Sequence, residues 1–244
     1  MNINMIKSFV SELIYPEICV LCGEYNPVEM IDKEAFNKCA TCCEKLINEF
    51  ENYCIKCRLP VGKEHNAKNC TSCRNRSIYY DDLLFINEYK TYLGELILQF
   101  KYNKDRLLGL CLSELLSNRI INIKDTIDII IPVPMFWVKK MMRGFNQSEL
   151  IAYELSKYLK KPFVNNILQR KSLGKKQAGQ SRTNRRANIK NIYSIKNHVE
   201  HKNILLVDDV VTTGSTLSEC ARVLKEGGAE KVFGAALAGV QRLR

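Results

Sequence analysis

A chain of 244 residues, 46% hydrophobic and 26% charged, has room for one large domain or two smaller ones and can bury a proper core. No run approaches the roughly 18 apolar residues of a membrane helix, so no membrane span is expected and the chain reads as cytoplasmic. The formal net charge of +11 is uneven: residues 139–202 hold 16 Lys/Arg against three acids, a +13 excess, and the remainder is slightly acidic.

In chain order, residues 1–16 come first. Ile6, Phe9, Val10, Leu13 and Ile14 recur at helical spacing and predict a short amphipathic helix. Glu12 interrupts the apolar run and no small-residue cleavage site follows, so this is not a signal peptide.

Nine of the 11 cysteines lie from Cys19 to Cys73, eight of them in four CxxC pairs, Cys19/Cys22, Cys39/Cys42, Cys54/Cys57 and Cys70/Cys73, with Cys43 beside the second pair. Each pair can form a tight knuckle that offers two sulfurs to one ion, and two knuckles make a closed, structural tetrahedral site. Few large apolar residues lie in this stretch, so metal binding must supply its folding free energy. Two structural zinc ions are expected. Disulfides and iron–sulfur ligation are the lesser readings. Sequential pairing of the knuckles is simplest, and interleaved pairing is also compatible. Cys43 is an alternative to Cys42, and His65 reads as a loop residue.

Residues 79–82 read as a linker and 83–89 as a strand. Helical patterns cover 91–102 and 105–121, and the β-branched run 126–132 predicts a buried strand. Gly144 and the Asn146-x-x-Glu149 signature open a helix with Ile151, Leu155, Tyr158 and Leu159 on its apolar face, stopped by Pro162. A strand at 204–207, a helix at 215–226 and a strand at 231–237 complete the pattern. Alternating strands and helices imply an α/β fold, a mainly parallel sheet flanked by helices. The chain divides into 1–80, a helix with a double zinc ribbon, and 81–244, the α/β domain.

Three segments of the α/β part carry chemistry. In 204–216, ILLVDDVVTTGST, four apolar residues form a central strand that ends in Asp208 and Asp209. Open α/β sheets bind ligands at that end. Thr212, Thr213, Gly214, Ser215 and Thr216 then form a hydroxyl-rich turn into a helix, a ready anion site. A phosphate there places an attached sugar over the two carboxylates, which suit vicinal hydroxyls and can assist magnesium. In 131–147, IPVP is followed by RGFNQ. Val133 lies in a loop at a strand end, with Lys139, Lys140 and Arg143 nearby as phosphate ligands or solvated charges. In 169–191, polar and basic residues include Gln177, Arg182, Arg185 and Arg186, which make a flexible hood or a basic linker.

The 204–216 segment matches, position by position, the phosphoribosyl pyrophosphate (PRPP) motif of type I phosphoribosyltransferases. The resemblance implies that Asp208 and Asp209 hold the ribose hydroxyls, that 212–216 hold the 5′-phosphate, and that magnesium accompanies PRPP. With the four CxxC pairs, IPVP…RGFNQSE and the Q…R…RR-x-N stretch, nearly the whole chain resembles the ComF/ComFC/GntX proteins, which couple zinc ribbons to a phosphoribosyltransferase domain. Some members serve DNA uptake in natural transformation, and the family does not supply an acceptor. Two functions fit. One is a phosphoribosyltransferase acting on PRPP. The other is a non-catalytic module that binds PRPP or single-stranded DNA and docks a competence-machinery protein through its ribbons. The surplus basic charge and rings such as Phe145 suit single-stranded DNA.

Overall fold

The computed structural model describes residues 18–25, 30–31, 38–47, 53–54, 56–59, 61, 70, 73, 77–103, 105–171 and 192–240; of 30, 31, 47, 91, 139, 140 and 143 it describes the backbone alone. The helix expected over 1–16 lies outside them. The chain divides into two compact units, Met1–Asn48 and Glu49–Arg244.

In the first unit, β1 (Met30–Ile31) pairs antiparallel with β2 (Lys38–Cys39), and α1 (Ala40–Ile47) follows directly. Gly23 closes the first knuckle. Its φ of 75° lies in the left-handed region, and its N–H donates to Cys19 O at 2.8 Å. Cys19, Cys39, Cys42 and Leu46 are buried.

In the second unit the sheet runs β3 (Asp82–Glu88), β9 (Lys231–Gly239), β7 (Asn203–Val207), β4 (Ile129–Pro132), with every pair parallel. The short β8 (Val210–Val211) also pairs parallel with β9. Ile204, Leu205, Leu206 and Val207 are all fully buried. Covered on both faces, such a strand reads as a continuous apolar run instead of an alternation. Crossovers are α2 (Thr91–Leu98) with α3 (Arg106–Ile120), then α5 (Gln147–Leu159), then α6 (Ser215–Glu226). Asp105 caps α3 by accepting from Leu108 N–H at 3.0 Å, and Asn146 caps α5 by accepting from Ser148 N–H at 3.2 Å.

Three features differ from the sequence expectation. The helix expected over 91–102 is α-helical only to Leu98 and continues as a π-helical turn, Gln99–Asn103. Phe100, fully buried, pins this turn. It lies so close to Gly109 of α3 that any Cβ there would overlap its ring. A helix, α4 (Trp137–Arg143), occupies what reads as loop. It has no buried stripe to betray it: Trp137, Met141 and Met142 are 61%, 74% and 79% exposed. A ribbon of β5 (Leu168–Arg170) and β6 (Tyr193–Ile195) brackets residues 171–192, its strands too short to show a period.

The second cysteine cluster belongs to this unit. Cys54, Cys57, Cys70 and Cys73 share one apolar core with Leu59, Val61, Val211 and Leu217.

Candidate functional site

Asp208 and Asp209 follow Val207 at the carboxyl end of β7. The ladder continues through them, Asp208 N–H donating to Ala235 O at 2.9 Å and Leu237 N–H to Asp209 O at 3.0 Å, so both are set by the sheet. Asp208 Oδ1 accepts from Ser148 Oγ at 3.0 Å and from Asp209 N–H at 2.9 Å. Asp209 Oδ1 accepts from Val210 N–H at 2.6 Å, and its Oδ2 lies 2.8 Å from Lys101 Nζ. Burial, with the Asp209 charge beside it, pushes the Asp208 carboxyl up to about 7, against the opposing pull of Ser148 and Lys101. Asp208 keeps partial exposure to the cleft.

The hydroxyl turn follows. Gly214 caps α6 with a φ of 69°. Thr213 Oγ1 donates to Ser215 Oγ at 2.8 Å and accepts from Ser215 N–H at 3.3 Å, which folds the turn on itself. The first N–H groups of α6 and these hydroxyls form an anion-binding end.

Carboxylates and turn open on one cleft of about 430 Å³. Asp208, Asp209, Thr212 and Thr216 line it, with Val133 to Met135 on the facing wall. Asn146 Nδ2 fastens that wall by donating to Val133 O at 3.3 Å. Thr213, Gly214 and Ser215 form the turn behind the lining. The side chain of Arg143, and all of Gln177, Arg182, Arg185 and Arg186, lie outside the described residues. Arg170 and Tyr193, the ribbon residues that flank 171–192, do line the cleft.

Sequence reasoning missed Lys101, Ser148, Arg170 and Tyr193 as cleft residues. Lys101 sat inside an apparent helix, and only the π turn aims it at Asp209. Arg170 lies 5.7 Å from the Phe136 ring centroid and 5.9 Å from that of Tyr193, a stacked cation in the cleft.

Two four-cysteine groups form, Cys19/Cys22/Cys39/Cys42 and Cys54/Cys57/Cys70/Cys73, the sulfurs of each within 4.8 Å of one another. The knuckles are thus grouped sequentially, with Cys42 and not Cys43 in the first set. Measured separations are 4.0 Å for Cys22–Cys39, 3.6 Å for Cys54–Cys73 and 3.4 Å for Cys57–Cys70. A tetrahedral ion with roughly 2.3 Å bonds needs sulfurs about 3.8 Å apart, so the spacing fits zinc. Burial pushes the Cys73 thiol up to about 12, whereas backbone N–H donors overcome burial and draw Cys54 down to about 6. So dense a set of buried sulfurs needs a cation to become thiolate throughout. His65 lies outside the described residues.

A parallel sheet with paired carboxylates at its carboxyl edge, leading into a hydroxyl turn, defines a protein of phosphoribosyltransferase fold. Residues 141–242 match the family described as the phosphoribosyl transferase domain. The chain is 34% identical over 198 residues to Competence protein F of Haemophilus influenzae, covering 78% of this chain and 85% of that protein. It is 27% identical over 228 residues to Competence protein ComFC of Bacillus subtilis, covering 88% and 91%. The chain belongs to the ComF/ComFC family. A solved purine phosphoribosyltransferase from Pyrococcus horikoshii aligns over 52% of this chain and 68% of its own, at 21% identity and a TM-score of 0.34. Among the described residues no helix is long and apolar enough to cross a membrane.

Proposed function

We propose that the cleft binds PRPP with magnesium, and that the protein acts as a phosphoribosyltransferase in DNA uptake during natural transformation. The observation that supports this is that Asp208 and Asp209 line one cleft together with Thr212 and Thr216. The turn takes the 5′-phosphate through N–H and hydroxyl donors, and the carboxylates take the ribose 2′ and 3′ hydroxyls. The loop at Val133 meets pyrophosphate, with Arg143 as a nearby cation. Gln177, Arg182, Arg185 and Arg186 serve as the hood-loop ligands of PRPP in this reading. Asp208 and Asp209 would hold magnesium together with PRPP, and the ion would supply charge neutralisation for the pyrophosphate.

In transfer, the bond from ribose C1 to the pyrophosphate oxygen breaks, pyrophosphate leaves with the electron pair, and an acceptor atom bonds to C1. Among the described residues no side chain serves as an evident nucleophile, and the protein contributes positioning and charge stabilisation. The competence role is supported by the similarity to Competence protein F and ComFC. Each cysteine group holds one structural zinc, and the ribbons face a competence-machinery partner.

Calorimetry with PRPP and magnesium tests the site. The wild type should bind, and Asp208→Asn with Asp209→Asn should abolish binding, since charge-assisted hydrogen bonds contribute roughly 1.5–3 kcal/mol each. Undiminished affinity in the double variant defeats the assignment. Pyrophosphate release from PRPP, with and without candidate bases, separates transfer from a binding module that only holds PRPP.

A further inference from the structure

We propose that the second four-cysteine centre holds the phosphate turn in its binding shape, with Tyr80 as the positioning residue between them. The inference rests on the reading of the 212–216 turn as a phosphate site and of the cysteines as a zinc centre.

Tyr80 is buried, and its hydroxyl donates to the backbone carbonyl of Cys57 at 2.9 Å. That carbonyl belongs to the knuckle itself. Arg58 N–H donates to Cys54 O at 2.8 Å, and Cys54 N–H donates to Leu59 O at 3.0 Å. Arg58 takes a left-handed φ of 55°, the strained corner a CxxC knuckle imposes. On its other side the same hydroxyl walls the turn. A Cβ added at Gly214 would lie 2.8 Å from Tyr80 Oη, so the ring sits against the residue whose left-handed conformation starts α6. The connecting segment is tied to that helix a second time. Tyr79 N–H donates to Ser218 Oγ at 3.2 Å, and Ser218 Oγ donates to Ser77 O at 3.3 Å. Residues 77–80 thus lie across the first turn of α6, fixed at one end by the knuckle.

The knuckle keeps this shape only while its sulfurs share one ion. Without it, the four crowded sulfurs separate and the Cys57 carbonyl turns away. Tyr80 is left with a buried hydroxyl robbed of this acceptor, an arrangement that disfavours its seat against Gly214. Metal in the second centre and phosphate on the turn therefore favour the same conformation. Such coupling is reciprocal: each ligand strengthens the other by the same factor. The Tyr80 tie runs to the second centre, so the coupling is expected of that centre.

The test uses the full-length, zinc-loaded protein and ribose 5-phosphate, which carries the phosphate and both hydroxyls without magnesium. Calorimetry first establishes ribose 5-phosphate binding to the wild type. Competitive titration with a zinc-selective chromophoric chelator then reads both zinc affinities. Saturating ribose 5-phosphate should tighten one zinc by about 5- to 20-fold, within the usual range of such couplings, and leave the other unchanged. Tyr80→Phe should keep both zinc ions and a cooperative melt, lose the tightening, and bind ribose 5-phosphate more weakly by the same factor. Ser218→Ala, which frees the segment from α6 without touching Tyr80, should reduce the tightening if Tyr80→Phe does not fold. Wild type that binds ribose 5-phosphate with neither zinc affected, or Tyr80→Phe that retains the tightening, overturns the coupling alone. Wild type that does not bind ribose 5-phosphate overturns the reading of the turn, and the coupling with it.

Discussion

Lys101 Nζ stands 2.8 Å from Asp209 Oδ2, and the two side chains are only 15% and 17% exposed. One of the two carboxylates proposed to take the sugar is therefore held by a cation on the turn after α2. The ammonium offsets the repulsion between Asp208 and Asp209. Removing it by Lys101→Met leaves a poorly solvated carboxylate beside another. Urea denaturation at pH 8 should show a loss of roughly 1–3 kcal/mol, below the range for fully buried pairs because some water reaches this one. Equal stability at pH 8 would show that the contact is incidental.

Ser148 sets a pH dependence. The Asp208 carboxyl is raised to about 7 by burial and by Asp209, and the Ser148 hydroxyl at 3.0 Å favours its charged form. Sugar hydroxyls need a charged acceptor, so PRPP affinity should rise as pH increases through about 7. Ser148→Ala removes a donor to the anion and should move that midpoint upward by about half to one unit, the worth of one hydrogen bond. The apo protein behaves in the opposite sense. A carboxyl whose folded pKa exceeds its unfolded value costs stability progressively between about pH 4 and 7. Asp208→Asn should flatten that decline. Calorimetry from pH 6 to 9 with an unmoved midpoint in Ser148→Ala would remove Ser148 from the site.

Much of this was legible in the sequence. The run from Ile204 to Val207 is apolar on both faces because a central parallel strand is covered twice, and the carboxylates after it can only lie at the ligand edge. Asn146 announced its helix because a cap is a local event. Lys101 was hidden because a π turn has no period of its own, and its place depends on Phe100 packing against Gly109, a long-range fit. Tyr80 was hidden for the same reason. Of two adjacent linker tyrosines, nothing singles out Tyr80 until the fold brings Cys57 and Gly214 to either side of it.

Zinc analysis of purified protein should give two ions per chain, and Cys19→Ser should give one. The consequences for folding should differ between the centres. Cys19 lies in the unit Met1–Asn48, so its loss should unfold that module and move the melting of the sheet by no more than a few degrees. Cys54 shares a core with Val211 and Leu217, so Cys54→Ser strikes the sheet directly. Loss of a buried metal site there should cost roughly 3–5 kcal/mol. At about 2–4 °C per kcal/mol for a unit of this size, melting should fall by about 10 °C or more. Iron in place of zinc, or equal effects of the two variants, would contradict the assignment.

The last prediction concerns nucleic acid. Residues 139–202 carry a +13 excess, far beyond what a pyrophosphate and one phosphate require. A ring for base stacking is also available. Phe145 is half-buried, 5.7 Å from Phe100 between ring centroids, but Trp137 of α4 is 61% exposed at the start of this basic segment. The hypothesis is moderate, sequence-independent binding of single-stranded DNA along the basic segment, by backbone charge and stacking. Affinity should fall with salt at a log–log slope of about −0.7 per phosphate contacted. Arg182→Glu, Arg185→Glu and Arg186→Glu together should lower the affinity and make the slope shallower. Trp137→Ala should weaken binding by roughly 1–3 kcal/mol, the worth of one stacked base, with the slope unchanged. Anisotropy titrations of a labelled oligonucleotide from 20 to 300 mM salt, roughly the range over which such charge effects vary, separate the two terms. Affinity that is undetectable at low salt, or independent of salt, would confine the basic segment to the PRPP cleft.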